Sequence, residues 1–204
     1  MFAITSFTAQ DAINAIKIAE GGDTFTNDPT DMGGATRWGI TENLAKQYQS
    51  VWDQFSFNGV MSTLPEGLAD YIYLHGFWNS LDLDNINSIY PPLAFLMFSI
   101  GVNGGDLGVA KELQRSLNCM NNVGRYYSNI VVDGSIGPGT ISAITALNTK
   151  LGTPGLFNLT MKVFSLQIVQ YMTICENSET QEKYDFGWDN RVIKNLQDFG
   201  IIQS

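Results

Sequence analysis

Apolar positions recur along this chain mostly at helical spacing, and polar caps, prolines and glycines cut the pattern into segments. Thr8-Ala9-Gln10-Asp11 has the form of a capping box, and Ala12, Ile13, Ile16 and Ala19 follow at the spacing of one helix face. A first helix is therefore predicted from Thr8 into the pair Gly21-Gly22. Thr41 begins a second, to about Ser50, and Thr63 with Glu66 caps a third, to about Gly76. Leu93 to Ile100 is apolar all round, the mark of a helix at the centre of a domain, with Pro91-Pro92 as its start and Gly101 as its stop. Asp106 is expected to cap a helix through Leu117 that turns Val109, Ala110, Leu113 and Leu117 inward. Thr140 to Asn148, Asn158 to about Cys175 and Gly187 to Phe199 read as further helices, whereas residues 35–40 read as extended. The fold class is mainly α, with a buried central helix and a small extended or β lobe.

One residue breaks this pattern with a purpose. Glu20 lies four residues after Ile16 and seven after Ile13, so it projects on the apolar face of the first helix and in its last turn. Burial and the negative end of the helix both disfavour an ionised carboxylate, which suits a general acid that must hold its proton. The plain alternative is a helix-terminal glutamate that reaches into water.

The segment after Glu20, DTFTNDPTDMGGATRWGIT, supplies partners. It holds Asp23, Asp28 and Asp31, the pair Gly33-Gly34, and Thr36 and Thr41, on turn-rich backbone that can fold back over a helix end. An acid facing further carboxylates is what glycoside hydrolysis requires, one group protonating the leaving oxygen and another serving water or an oxocarbenium ion. Turn formation explains Asp28 before Pro29 equally well, and a calcium loop lacks its closing glutamate.

Glu20-Gly21-Gly22, Asn27 to Thr36 and Gly39-Ile40-Thr41 resemble the signature of the glycoside hydrolase family 108 muramidases of bacteriophage endolysins and related lysozymes. His75 to Trp78, Phe98 to Gly105, Leu113 to Asn118 with Val132 to Pro138 and Thr140, and Gly187 to Arg191 extend the resemblance over nearly the whole chain. Asp23-Thr24-Phe25, Met32 and Gly104 are modest departures from it. The resemblance implies a lysozyme-like fold and Glu20 as catalytic acid, with Asp31 and Thr36, then Asp28, orienting water or stabilising the transition state. Trp78 is a candidate to stack on a sugar face and Asn103 to bond an N-acetyl group. Core packing and a helix C-cap are their respective alternatives. Thr41 and Tyr126 are further substrate-binding candidates.

Composition narrows the alternatives. A net charge of −9 over 204 residues, with basic residues spread singly, argues against nucleic acid and against wall targeting by a cationic patch. The strongest apolar run, Pro91 to Val102, is too short to span a bilayer, and residues 1–8 lack the features of a signal peptide. The single histidine, His75, leaves too few ligands for a zinc amidase and no context for a histidine-dependent triad, and its spacing from Leu68 and Ile72 suggests an inward structural role. Cys119 and Cys175 fit neither a zinc site nor a disulfide framework and read as free buried thiols. No cofactor or metal is expected.

The expected protein is a monomeric muramidase of residues 1–204, with a catalytic half at 1–103 and a peptidoglycan-associated helical half at 104–204. Its partner is the peptidoglycan glycan strand, reached after release from the cytoplasm by a holin-type route that the resemblance implies. A lytic transglycosylase using the same Glu20 is the nearest alternative, and a non-catalytic wall-binding or virion protein on a lysozyme-like scaffold the next. Sequence leaves inversion or retention open.

Overall fold

The computed structural model describes residues 6–27 and 34–198. They are mainly α-helical, and the chain forms two compact units, Thr8–Phe77 and Met1–Phe7 with Trp78–Ser204.

In the first unit, α1 (Ala9–Ala19) begins as the capping box requires: the Thr8 side chain accepts from the Asp11 N–H, and the Asp11 carboxylate accepts from the Thr8 N–H at 2.8 Å. Ala12, Ile13 and Ile16 are buried as expected, but Ala19 is exposed and Lys17 takes its place on the inner face. Thr36–Arg37 (β1) and Ile40–Thr41 (β2) pair antiparallel, Thr36 opposite Thr41 and Arg37 opposite Ile40. The two residues between them, Trp38 and Gly39, both have positive φ (55° and 74°), the conformation of the tight turn whose twist matches a hairpin. A bridge from Thr26 to Thr36 adds a third extended segment.

Thr41 starts α2 (Glu42–Gln47) as expected, its hydroxyl accepting from the Leu44 N–H, but the chain then tightens into a 3₁₀ segment over Gln49–Phe55. The third expected helix begins later and ends differently. Thr63 bonds back to the Val60 carbonyl inside a 3₁₀ turn, Pro65 occupies the N-cap, and α3 spans Glu66–Tyr73. It gives way to a π-helical turn over Leu74–Trp78. That wider turn changes the direction in which its own side chains face. His75 is exposed, its ring tilted against that of Tyr71 at 4.1 Å between centroids, which corrects the expectation that it faces inward.

The second unit is built around α5 (Pro91–Gly104), in which every residue from Pro92 to Gly101 is buried. It packs against α4 (Leu83–Ile89), α6 (Asp106–Met120), α7 (Pro138–Asn177) and α8 (Glu182–Asp198), so an apolar surface all round is what its position demands. Burying each of its large side chains contributes about 1.5–3 kcal/mol. Gly101 does not stop this helix. It continues three residues to Gly104, and Gly105 (φ 90°) terminates it and serves as the N-cap of α6, the position expected of Asp106.

Val109, Ala110, Leu113 and Leu117 of α6 are buried as their spacing predicts. The two helices expected at 140–148 and 158–175 are both present and longer than expected, and they meet within α7 at a kink where Gly152 (φ 61°) is non-helical, just before Pro154. Thr140 is not its cap; it is buried and accepts from the Gln114 side chain at 3.4 Å. Both cysteines are free, but Cys119 is exposed and Cys175 half-buried, correcting the expectation of buried thiols. Among the described residues no helix is long and apolar enough to cross a membrane.

Candidate active site

Glu20 is the C-cap residue of α1, and the two glycines after it close the helix. The Gly22 N–H donates to the Lys17 carbonyl at 2.8 Å and the Gly21 N–H to the Ile18 carbonyl at 3.3 Å, the paired bonds of a Schellman motif. Gly21 has φ 98° and Gly22 φ 60°, values an L side chain adopts only with strain. The sequence Glu-Gly-Gly thus stops the helix at the glutamate and holds it at the rim, half-buried.

The hairpin turn meets Glu20 side-on. A Cβ placed on Gly39 would collide with the Tyr73 hydroxyl and lie 2.7 Å from the Glu20 Cβ, so only glycine permits this approach. Tyr73 is fully buried on α3 and donates its hydroxyl to the Trp38 carbonyl at 3.0 Å. Burial, and after it the negative charge of Glu20 and then Asp70, push the Tyr73 phenol far above its ordinary value, so it stays a neutral donor. Helix end, hairpin turn and α3 thereby fix one carboxylate beside one phenol.

Charged residues brace this corner. Lys17 is buried, with its ammonium 2.7 Å from the Glu66 carboxylate and 2.5 Å from that of Asp70, and 5.6 Å from the centre of the Trp38 ring. Burial opposes the Lys17 charge, but hydrogen bonds to Asp70 and Glu66 outweigh it and raise the pKa overall. Arg37 approaches Trp38 as well, at 5.9 Å, while its guanidinium pairs with Asp23 at 2.5 Å and donates to the Ser62 carbonyl. Asp23, counted by sequence among the loop carboxylates, is therefore tied to the hairpin.

The other candidates divide sharply. Asp28 and Asp31 lie outside the described residues. Thr36 is half-buried, its hydroxyl donating to the Gly34 carbonyl at 3.1 Å, and the Thr41 hydroxyl serves α2 as its cap. Trp78 is fully buried in the second unit, edge-on to Phe7 and Phe98 with its indole N–H on Asp84 at 2.9 Å, so the expected sugar-stacking face does not exist. Asn103 is exposed near the end of α5, donating to the Ser99 carbonyl at 2.8 Å and accepting from Arg191. Tyr126 is half-buried in the loop after α6, its backbone N–H on the Asn121 carbonyl at 3.1 Å. Sequence reasoning missed Tyr73 and the Lys17 cluster. A phenol on a helix face shared with Ala69 and Ile72, and a lysine four residues after Ile13, were the available signals.

The family model described as Glycosyl hydrolase 108 matches residues 13–105, a span that contains Glu20, Gly39 and Tyr73. Residues 13–105 form a glycosyl hydrolase 108 domain. A second model, described as Predicted Peptidoglycan domain, matches residues 109–193, so the glycosyl hydrolase 108 domain is followed by a peptidoglycan-associated one. Together they make the protein a glycoside hydrolase of peptidoglycan. The solved structure of Brucella abortus SagA is similar over 94% of this chain and 92% of that one, with a TM-score of 0.64 at 19% identity, a likeness of fold. No curated protein matches the chain. The described residues are mainly α with one small two-stranded sheet, the architecture expected of a lysozyme-like fold.

Proposed function

We propose that this glycosyl hydrolase 108 protein is a muramidase that cleaves the β-1,4 bond between N-acetylmuramic acid and N-acetylglucosamine, with Glu20 as general acid. The observation that carries the reading is the packing of Glu20 against Gly39 beside the neutral Tyr73 phenol. Glu20 donates its proton to the glycosidic oxygen as the bond breaks, and its fixed backbone supplies the orientation that proton transfer needs. Asp31 with Thr36, and Asp28 next, orient the attacking water or stabilise the oxocarbenium-like transition state. Thr41, Asn103 and Tyr126 remain proposed contacts to the glycan.

In this reading the protein acts as a monomeric endolysin. It is made in a bacteriophage-infected cytoplasm, reaches the wall by holin-type release and lyses the cell. Mass spectrometry of the fragments released from purified peptidoglycan tests the chemistry. Muramidase action yields reducing muramic ends. Anhydro-muramic ends would replace it with a lytic transglycosylase, and binding to insoluble wall with no soluble fragments would replace it with a non-catalytic wall protein.

A further inference from the structure

A groove of about 580 Å³ runs between α6 and α7, within the stretch that matches the peptidoglycan-domain model. Its lining is chemically biased. Arg115 and Lys162 supply two positive charges, and among the described residues no acidic or aromatic side chain lines it, in a chain whose net charge is −9. Met161 and Leu166 give it an apolar floor, and Asn158 and Ser116 add polar groups. Ser116 is the telling one. It is only 2% exposed, and its hydroxyl oxygen is buried with no hydrogen-bond partner. A buried hydroxyl left unpaired costs about 1–3 kcal/mol, so its partner is best sought in what fills the groove.

We infer that this groove binds a short peptide through its carboxylates, the chemistry of the stem peptides carried by peptidoglycan glycan strands; the identity of the peptide rests on the reading of the protein as a peptidoglycan hydrolase. Arg115 and Lys162 pair with the carboxylates, the Ser116 hydroxyl bonds a peptide amide, and Met161 and Leu166 cover alanine-sized side chains. A bare glycan fits less well, because sugar faces call for aromatic rings and the lining has none. Nucleic acid fits less well too, since two cations neutralise few phosphates.

Cys119, exposed in the same groove, offers a readout independent of catalysis. In a Cys175→Ser background, the rate of Cys119 modification by a thiol reagent is measured with a synthetic stem peptide, with the same peptide amidated at its carboxylates, and with a peptide-free glycan oligomer. The stem peptide is expected to slow modification at least fivefold while the other two have little effect. Arg115→Gln with Lys162→Gln is expected to weaken peptide binding tenfold or more. Ser116→Ala is expected to weaken it severalfold without lowering Tm, because it removes an unpaired polar atom. An unprotected Cys119 at saturating peptide, equal protection by the amidated peptide, or unchanged affinity in the double variant would overturn the inference. Wall cleavage is scored separately: a wild-type protein that binds the peptide but releases no fragments defeats the muramidase reading alone, and one that cleaves but leaves Cys119 unprotected defeats the groove alone.

Discussion

Glu20 and Gly39 lie so close that a methyl group on the glycine would sit 2.7 Å from the Cβ of the glutamate. The contact joins the end of α1 to the turn of a two-residue hairpin, and the Tyr73 hydroxyl borders it. Gly39→Ala is therefore expected to fold less stably, by about 1–3 kcal/mol from the left-handed backbone alone, and to lose wall-cleaving activity through displacement of Glu20. Thermal unfolding and turbidity clearing of purified walls measure the two effects. A variant with unchanged Tm and activity would show that the approach matters to neither.

Tyr73→Phe removes the hydroxyl that donates to the Trp38 carbonyl at 3.0 Å but keeps the ring in the core. The orphaned carbonyl is expected to cost about 1–3 kcal/mol, read as a lower denaturation midpoint. If the phenol also fixes the turn against Glu20, kcat falls with little change in KM.

Lys17→Met leaves Glu66 and Asp70 facing each other without their shared cation. Glu66 is about half exposed, so the loss is expected near 2 kcal/mol rather than at the upper range for fully buried pairs. Adding Asp70→Asn is expected to restore part of it. Equal stability of the single variant and the wild type would contradict the bracing role.

A buried acid outside the candidate site sets an expected pH dependence. Burial pushes Glu112 up to about 7, against an opposing pull from Arg115, and one of its oxygens has no partner. A carboxyl whose folded pKa lies above its unfolded value binds its proton more tightly when folded. Stability is then highest below the unfolded pKa near 4.5 and falls as pH rises through about 7. The fall attributable to Glu112 is about 3 kcal/mol at most. Asp189, raised by burial and then by Asp185, acts in the same direction. Glu112→Gln is expected to flatten most of the decline in Tm measured between about pH 5 and 8; an unchanged slope would rule Glu112 out as its source.

Much of this was legible in the residues themselves. The capping box at Thr8 and the all-apolar run before Gly101 are local signals, and both produced the helices they announce. Errors arose where tertiary packing overrode them. Gly101 read as a stop, yet α5 runs on to Gly104 with Gly101 buried in the core. The Leu83–Ile89 helix, short and rich in asparagine, gave too weak a pattern to be anticipated. His75 was misplaced because a π-helical turn, which no spacing rule foresees, rotates the chain after Tyr73. At the candidate site, Glu20 was visible because the glycines that hold it are adjacent in sequence. Tyr73 was not, since its meeting with Gly39 spans more than thirty residues and depends on the hairpin turn.

The most direct test of the central claim is Glu20→Gln, compared with the wild type in release of soluble fragments from purified peptidoglycan after matched folding by circular dichroism and Tm. The substitution keeps the shape of the side chain and removes its acidic proton. An unchanged fold and a loss of at least about a thousandfold in rate are expected. A correctly folded Glu20→Gln protein that still cleaves the wall at near the wild-type rate would contradict it.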